Sequence, residues 1–209
     1  MAPLAFKFEP RQGKDHGPPS SFHRPPHRPN WRREGQSVTP EEFQVFYPPV
    51  IGWIRLTLAA HEKNAKSVAS VGFVRLPLYF SDELLASTKY VAVDRPPMPP
   101  LSALGLKRFA AFEQSDPDAI TYLDTVFLKT GHVADEGLYF HELIHVVQWR
   151  VLGPERFLAA YADGLETFGY RNSPLEAMAY DAQAGFAQST KILDAEKLVA
   201  EKLSEMQLP

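Results

Sequence analysis

Two histidines and a glutamate in the segment His-Glu-Leu-Ile-His, residues 141–145, constrain this chain more than any other feature. On an α-helix, residues i and i+4 project from one face, so the rings of His141 and His145 can reach a single ion. Glu142 lies about 100° further round such a helix, since one turn takes 3.6 residues. Neutral imidazole is a good Zn²⁺ ligand, and a neighbouring carboxylate can take a proton from a zinc-bound water. The motif therefore predicts a zinc site with Glu142 as its general base.

The residues around this motif predict a buried central helix. Apolar residues cover most of its circumference, namely Leu138, Leu143, Ile144, Val146, Val147 and Val151. A buried cluster of ionisable groups is costly unless something neutralises it, and a metal ion does so directly. The competing interpretation is a buried helix whose two histidines are only hydrogen-bonded. The chain contains no cysteine, so His, Asp and Glu are its strong candidate metal ligands.

Composition indicates one domain and argues against several classes of partner. With 209 residues, of which 44 % are hydrophobic, the chain can bury one core, which we expect at residues 39–209. Residues 1–38 are rich in proline and arginine, and we expect a disordered or extended tail there.

A net charge of −3 gives no support for binding nucleic acid or an anionic membrane. No signal peptide or apolar run of membrane-spanning length is visible, so we expect a cytoplasmic protein without a membrane segment. The oligomeric state is not predicted.

The local patterns predict a mixture of helices and short strands. Thr39 is expected to cap a helix that Pro48 and Pro49 break, with a second helix over residues 50–67. Ser81 is expected to cap another short helix, and residues 96–100 to form a rigid connection. Strands are expected where β-branched and aromatic residues concentrate: 72–80, 89–94 and 120–129.

The second half of the chain is expected to be helical. The motif helix should begin near Asp135 and end at Gly153, because glycine stops a helix and Pro154 starts the next. That next helix should run to about Phe168. A third is expected to start at Pro174 and continue past residue 187, and an amphipathic segment at 192–206 is either its extension or a separate helix. The fold class is therefore α+β, with a small mixed or antiparallel sheet beside the motif helix.

A catalytic zinc site normally has three protein ligands, and the sequence offers several carboxylates for the third position. No histidine follows the motif, so the candidates are Asp163, Glu166, Glu176 and Asp181. Glu176 is favoured, because it lies 31 positions after His145, near the start of a helix that could fold back on the motif helix. A competing role is local. Ser173 to Glu176 also reads S-x-x-E, a capping box in which the carboxylate would bind a backbone N–H.

Two segments resemble a known family of metallopeptidases. HELIHVVQ at residues 141–148 and YRNSPLEAMAYDAQA at residues 170–184 are similar to the gluzincin branch of the zincins, in particular to small bacterial HExxH domains of unknown function. The upstream TYLDTVFL segment resembles the edge strand that pairs with extended substrates in zincins. The resemblance implies zinc-dependent hydrolysis of peptides or proteins. It also implies a role for each matched residue, with His141, His145 and Glu176 as metal ligands and Glu142 as general base.

One departure from that family leaves the surroundings of the metal undecided. Thermolysin-like members have an acid four residues after the third ligand, which orients a zinc histidine. Here that position is Tyr180, and the acid, Asp181, follows one residue later. Asp163 and Glu166 are the other candidates for this orienting role. Four residues are candidate donors to the negative charge of a transition state, each with a plain structural role as the alternative: His132, Tyr170, Arg171 and Tyr180.

Two other functions compete with hydrolysis. The chain could keep a zincin-like core as a catalytically weak or inactive zinc-binding scaffold that serves a partner protein. The motif could also be accidental, in which case the domain would be a plain helical binding module.

Overall fold

The structure is a computed structural model that describes residues 38–188, 193–206 and 208. All of these residues belong to one compact unit, residues 32–209. The expected tail at residues 1–38 falls outside the described residues, apart from Val38, so it stays a prediction.

The described residues form an α+β fold, as predicted. The helices among them are α1 Pro40–His61, α2 Asp82–Ser87, α3 Ala110–Glu113, α4 Glu136–Phe168, α5 Pro174–Gln188 and α6 Ala195–Glu205. The strands are β1 Lys66–Ser67, β2 Lys89–Val93, β3 Ala119–Tyr122 and β4 Thr125–Lys129. They form one mixed sheet in the order β1-β2-β4-β3, in which β2 and β4 are parallel and the other pairs antiparallel. Within the described chain, none of the helices has both the length and the apolar character required to cross a bilayer.

Helix α1 is continuous, so the predicted break at Pro48 and Pro49 is wrong. Its start is as predicted: Thr39 and Glu42 form a capping box, with hydrogen bonds of 3.2 and 3.0 Å. Both prolines lie on the exposed face of the helix. The buried side chains on either side of them continue one stripe, namely Phe43, Phe46, Val50, Ile51 and Ile54. Burial of this stripe outweighs the roughly 3 kcal/mol cost of an internal proline.

The expected strand at residues 72–80 is also wrong. This segment forms turns and a short 3-10 helix at Leu76–Leu78. The Glu136 carboxylate accepts hydrogen bonds from the backbone N–H groups of Arg75 and Leu76, at 2.8 and 3.2 Å. A side chain on α4 thus satisfies amides that a sheet would otherwise have paired. The aromatic and aliphatic residues on which the strand prediction was based include Leu76 and Phe80, which are buried in the core.

The expected strand at residues 120–129 is a hairpin of two strands, β3 and β4, joined by Leu123 and Asp124. Leu123 has a φ of 57°, in the left-handed region that glycine and asparagine normally occupy. The left-handed position of this turn therefore lacks the residue types that normally signal it. Because the chain reverses at this turn, β3 pairs only with β4 and lies at one end of the sheet, beside α4.

Helix α4 carries the His-Glu-x-x-His motif and follows the predicted boundaries closely. Asp135 caps its first turn by accepting a hydrogen bond from the backbone N–H of Leu138, at 3.0 Å. Gly153 leaves the helical conformation, with φ 74° and ψ 165°, before Pro154 resumes it. This backbone conformation is accessible to glycine and strained for other residues. The α4 axis therefore changes direction between the motif and the segment that leads to α5.

The return of the chain from α4 to α5 depends on a close contact at Gly164. A β-carbon at this position would lie 2.9 Å from Ser173 Cβ and 3.1 Å from Pro174 Cδ. The missing side chain lets the first turn of α5 pack directly on α4. Because Glu176 lies in that first turn, the contact helps to fix where its carboxylate lies.

We expect Gly164→Ala to lower the free energy of unfolding by about 1–3 kcal/mol, because the added methyl group overpacks this contact. Gly185→Ala is the matched control, since Gly185 is also helical and a β-carbon there meets no atom within 4 Å. Its greater helix propensity should leave stability unchanged or raise it by up to about 1 kcal/mol. Urea denaturation measures both variants, and equal stability of the two would contradict the role given to Gly164.

Candidate metal centre

His141 and His145 project from one face of α4, as the motif predicts, and both are buried. Their Nε2 atoms lie 3.2 Å apart. Two unprotonated ring nitrogens this close repel each other unless a proton or a cation lies between them. The pair therefore presents nitrogen atoms directed at one common point.

Glu176 completes a triad with these histidines. Its Oε2 lies 3.4 Å from His141 Nε2, and its Oε1 lies 3.4 Å from His145 Nε2. One candidate ligand atom from each residue lies within 4.8 Å of the others, so the three residues form a possible metal-binding site. The competing capping box is wrong, because the backbone N–H of Ser173 donates instead to the carbonyl of Tyr170, at 3.2 Å.

Charge compensation holds this triad together inside the protein. Glu176 is 1 % exposed. Burial acts to raise the pKa of its carboxyl, but the charge of the nearby His145 and the close contacts with both histidines outweigh burial and hold that pKa well below its usual range. Burial likewise acts to lower the pKa of His145, and the Glu176 carboxylate reverses this and raises it. The Tyr161 hydroxyl donates a further hydrogen bond to Glu176 Oε1, at 2.7 Å.

Gln148 orients the ring of His145. Its Oε1 lies 2.8 Å from His145 Nδ1, and its Nε2 donates to the carbonyl of Leu175 at 3.0 Å. Because the amide N–H₂ must face the carbonyl, the amide oxygen faces the ring and accepts a hydrogen bond from Nδ1–H. In the neutral ring this hydrogen bond leaves the lone pair of His145 on Nε2, the atom that lies 3.4 Å from Glu176. Gln148 therefore serves the role that a carboxylate was expected to fill.

Glu142 lies beside the triad and does not belong to it. Its carboxylate is buried, and Oε2 accepts a hydrogen bond of 2.7 Å from the hydroxyl of Thr121 on β3. Glu142, His145 and Glu176 all line one cavity of about 90 Å³. The wall of this cavity is otherwise mainly apolar and includes Trp149 and Phe157, whose rings stack 3.8 Å apart.

The carboxylates that were candidates for orienting a motif histidine, Asp163, Glu166 and Asp181, differ in their surroundings. Asp181 is exposed. Glu166 lies near the guanidinium of Arg108, with Oε1 3.6 Å from Nε. Burial raises the pKa of Glu166, and Asp163 is close enough to raise it further. A role for Asp163 toward the histidines stays a prediction.

The four candidate donors also divide into two groups. His132 lies near Asp118 and Asp135, with N–O distances of 3.7 and 3.5 Å, and does not line the cavity. The other three are at or near the centre. Tyr170 lines the cavity, the ring of Tyr180 packs 4.6 Å from that of His141, and the guanidinium of Arg171 covers Tyr180.

The sequence interpretation gave no role to Gln148, Tyr161 or Thr121. For Gln148 a signal existed, because it follows His145 by three residues and so lies on the same face of α4. Tyr161 and Thr121 reach the centre through the packing of α4 on α5 and of β3 on α4. Local sequence carries no signal for either contact.

Comparisons of the chain with family models, curated proteins and solved structures found no match. The resemblance to gluzincins therefore stays a prediction.

We expect Gln148→Met to weaken metal binding about 10- to 100-fold, because it removes the acceptor that holds the ring of His145. Calorimetric titration of the metal-free protein with Zn²⁺ as the probe measures the change. Methionine is close to glutamine in length, which limits the disturbance to packing.

Gln183→Met is the control for this substitution. Gln183 donates a hydrogen bond of 3.0 Å from α5 to the carbonyl of Gly137, away from the triad. Its loss should lower stability without changing metal affinity. If both variants weakened binding equally, Gln148 would have no particular role at the centre.

Proposed function

We propose that this protein is a zinc-dependent metallopeptidase of the gluzincin type. His141, His145 and Glu176 would hold the metal, and Glu142 would act as general base. The observation that carries the proposal is the position of Glu142, a buried carboxylate that lines the same cavity as His145 and Glu176 without belonging to the triad.

The donor set of the triad fits zinc. Two imidazole nitrogens and one carboxylate oxygen are a known ligand set for catalytic Zn²⁺, which keeps a further position for water. The charge also fits, because a divalent ion would neutralise Glu176 and remove the repulsion between two ring nitrogens 3.2 Å apart. Glu176 Oε2 has no hydrogen-bond partner among the described residues, which leaves it available as a ligand atom.

A purely structural metal site would not need Glu142. A buried carboxylate is costly, and its placement beside three other ionisable groups increases that cost. In a catalytic site the same carboxylate has a function as general base. It accepts a proton from the attacking water and transfers it to the leaving nitrogen. When bound, zinc supplies the Lewis acidity that polarises the carbonyl and makes the water acidic.

Other residues of the chain would prepare the site for this reaction. Gln148 and Tyr161 hold two of the ligands in place through hydrogen bonds of 2.8 and 2.7 Å. The apolar wall around Trp149 excludes water and so strengthens charge interactions at the centre. Tyr170 lines the cavity and is the candidate donor that is best placed to stabilise developing negative charge there.

A catalytically weak zinc-binding scaffold is the second candidate, and the burial of the centre favours it. His141, Glu142, His145 and Glu176 are between 1 % and 5 % exposed. Segment 97–112 contributes several residues to the wall of the cavity. A protein substrate would have to displace part of this covering, whereas a scaffold would not require such movement.

We expect Glu142→Gln to keep one zinc ion per chain and to lower hydrolysis by about 10²- to 10⁴-fold, because the amide cannot accept the proton from water. Elemental analysis gives the metal content, and release of fluorescent fragments from labelled casein, an unstructured protein, gives the rate.

Two variants serve as controls for this experiment. Glu201→Gln changes an exposed glutamate on α6 and should leave both quantities unchanged. His141→Ala should lose the metal together with activity. Stoichiometric zinc without cleavage by the unmodified protein would favour the scaffold, and absence of zinc binding would remove both candidates.

A further inference from the structure

Thr121 connects the end strand of the sheet to the base of the proposed reaction. Its hydroxyl lies 2.7 Å from Glu142 Oε2 and 3.4 Å from the Glu142 carbonyl. A hydroxyl beside a carboxylate donates its proton to it, so the shorter contact is a charge-assisted hydrogen bond. Thr121 is 6 % exposed, and the interaction is therefore shielded from water.

A second hydrogen bond fixes the backbone of the same residue. The indole Nε1 of Trp149 donates to the carbonyl of Thr121, at 3.2 Å. Trp149 follows Glu142 by seven residues, two turns further along α4. The residue is thus tied to α4 at two points, one through its side chain and one through its main chain. These two hydrogen bonds restrain the position of the hydroxyl relative to Glu142.

The presence of threonine at buried strand position 121 is consistent with a function for its hydroxyl. Buried strand positions favour apolar β-branched residues such as valine, which has the same shape as threonine without the hydroxyl. Burial of a hydroxyl is unfavourable unless it makes a hydrogen bond. Here the partner is Glu142 and not a structural group elsewhere in the core.

We propose that Thr121 is a positioning residue for Glu142: its hydroxyl holds carboxylate oxygen Oε2 and so directs Oε1 toward the reacting water. This inference rests on the proposed function, because it assigns Thr121 to the same reaction. It differs from a ligand-orienting role such as that of Gln148, since Thr121 contacts the base and touches none of the metal ligands in the described hydrogen bonds.

Two substitutions at one position separate the hydroxyl from the shape of the side chain. Thr121→Val keeps the shape and removes the donor, and Thr121→Ser keeps the donor in a smaller side chain. With the zinc-loaded protein and labelled casein, we expect the valine variant to lose about 10- to 100-fold in kcat with KM little changed. The serine variant should recover most of this loss. Metal content should be the same in both variants and in the unmodified protein.

A binding measurement provides a readout that does not depend on turnover. Acetohydroxamate chelates zinc through two oxygens and offers a proton to a nearby carboxylate, so its affinity reports where Glu142 lies. Calorimetry with the zinc-loaded proteins should show about tenfold weaker binding to the valine variant and near-normal binding to the serine variant.

The outcomes distinguish this inference from the proposed function. Equal kcat and equal hydroxamate affinity in the valine variant would overturn the role of Thr121 and leave the peptidase proposal intact. If the unmodified protein cleaves nothing, the peptidase proposal fails, and the hydroxamate series still decides whether Thr121 places Glu142. Loss of zinc or of folding in both variants would show that Thr121 is structural and would also overturn the inference.

Discussion

The buried interaction of Glu176 with His141 and His145 is the constraint on which the rest of this structure depends. A carboxylate that is 1 % exposed persists only where positive charge and hydrogen bonds replace water. The histidines supply that compensation from α4, and Tyr161 adds a hydrogen bond of 2.7 Å. For these groups to meet, α5 must return onto α4, which explains the change of direction at Gly153 and the close contact at Gly164.

The site also organises the sheet around α4. Strand β3 lies at the end of the sheet and presents Thr121 to Glu142, while Trp149 holds the strand from the same helix. The two histidines, the proposed base and Trp149 of the cavity wall therefore share one helix, α4, as their common support. Groups held in this way need little reorganisation during a reaction, which is the usual physical source of rate enhancement in enzymes.

The parts of this centre that follow a local period were predictable from sequence. His141 and His145 share a helix face by spacing alone, and Asp135 and Gly153 mark helix boundaries through their own backbone preferences. Contacts between distant elements were not predictable. Thr121 reaches Glu142 across 21 positions, and the turn that places it has Leu123 where glycine or asparagine is the normal signal. The predicted break at Pro48 and Pro49 in α1 was wrong for a related reason. Burial of the apolar face of α1 outweighed the low helix propensity of the two prolines.

X-ray absorption at the zinc edge tests the central claim that the triad binds zinc. The protein loaded with one equivalent of Zn²⁺ should show two imidazole nitrogens at about 2.0–2.1 Å together with oxygen ligands. His145→Ala should lose one imidazole shell, and Glu201→Gln should leave the spectrum unchanged. A shell of oxygen atoms alone, or a spectrum unaffected by His145→Ala, would contradict the account.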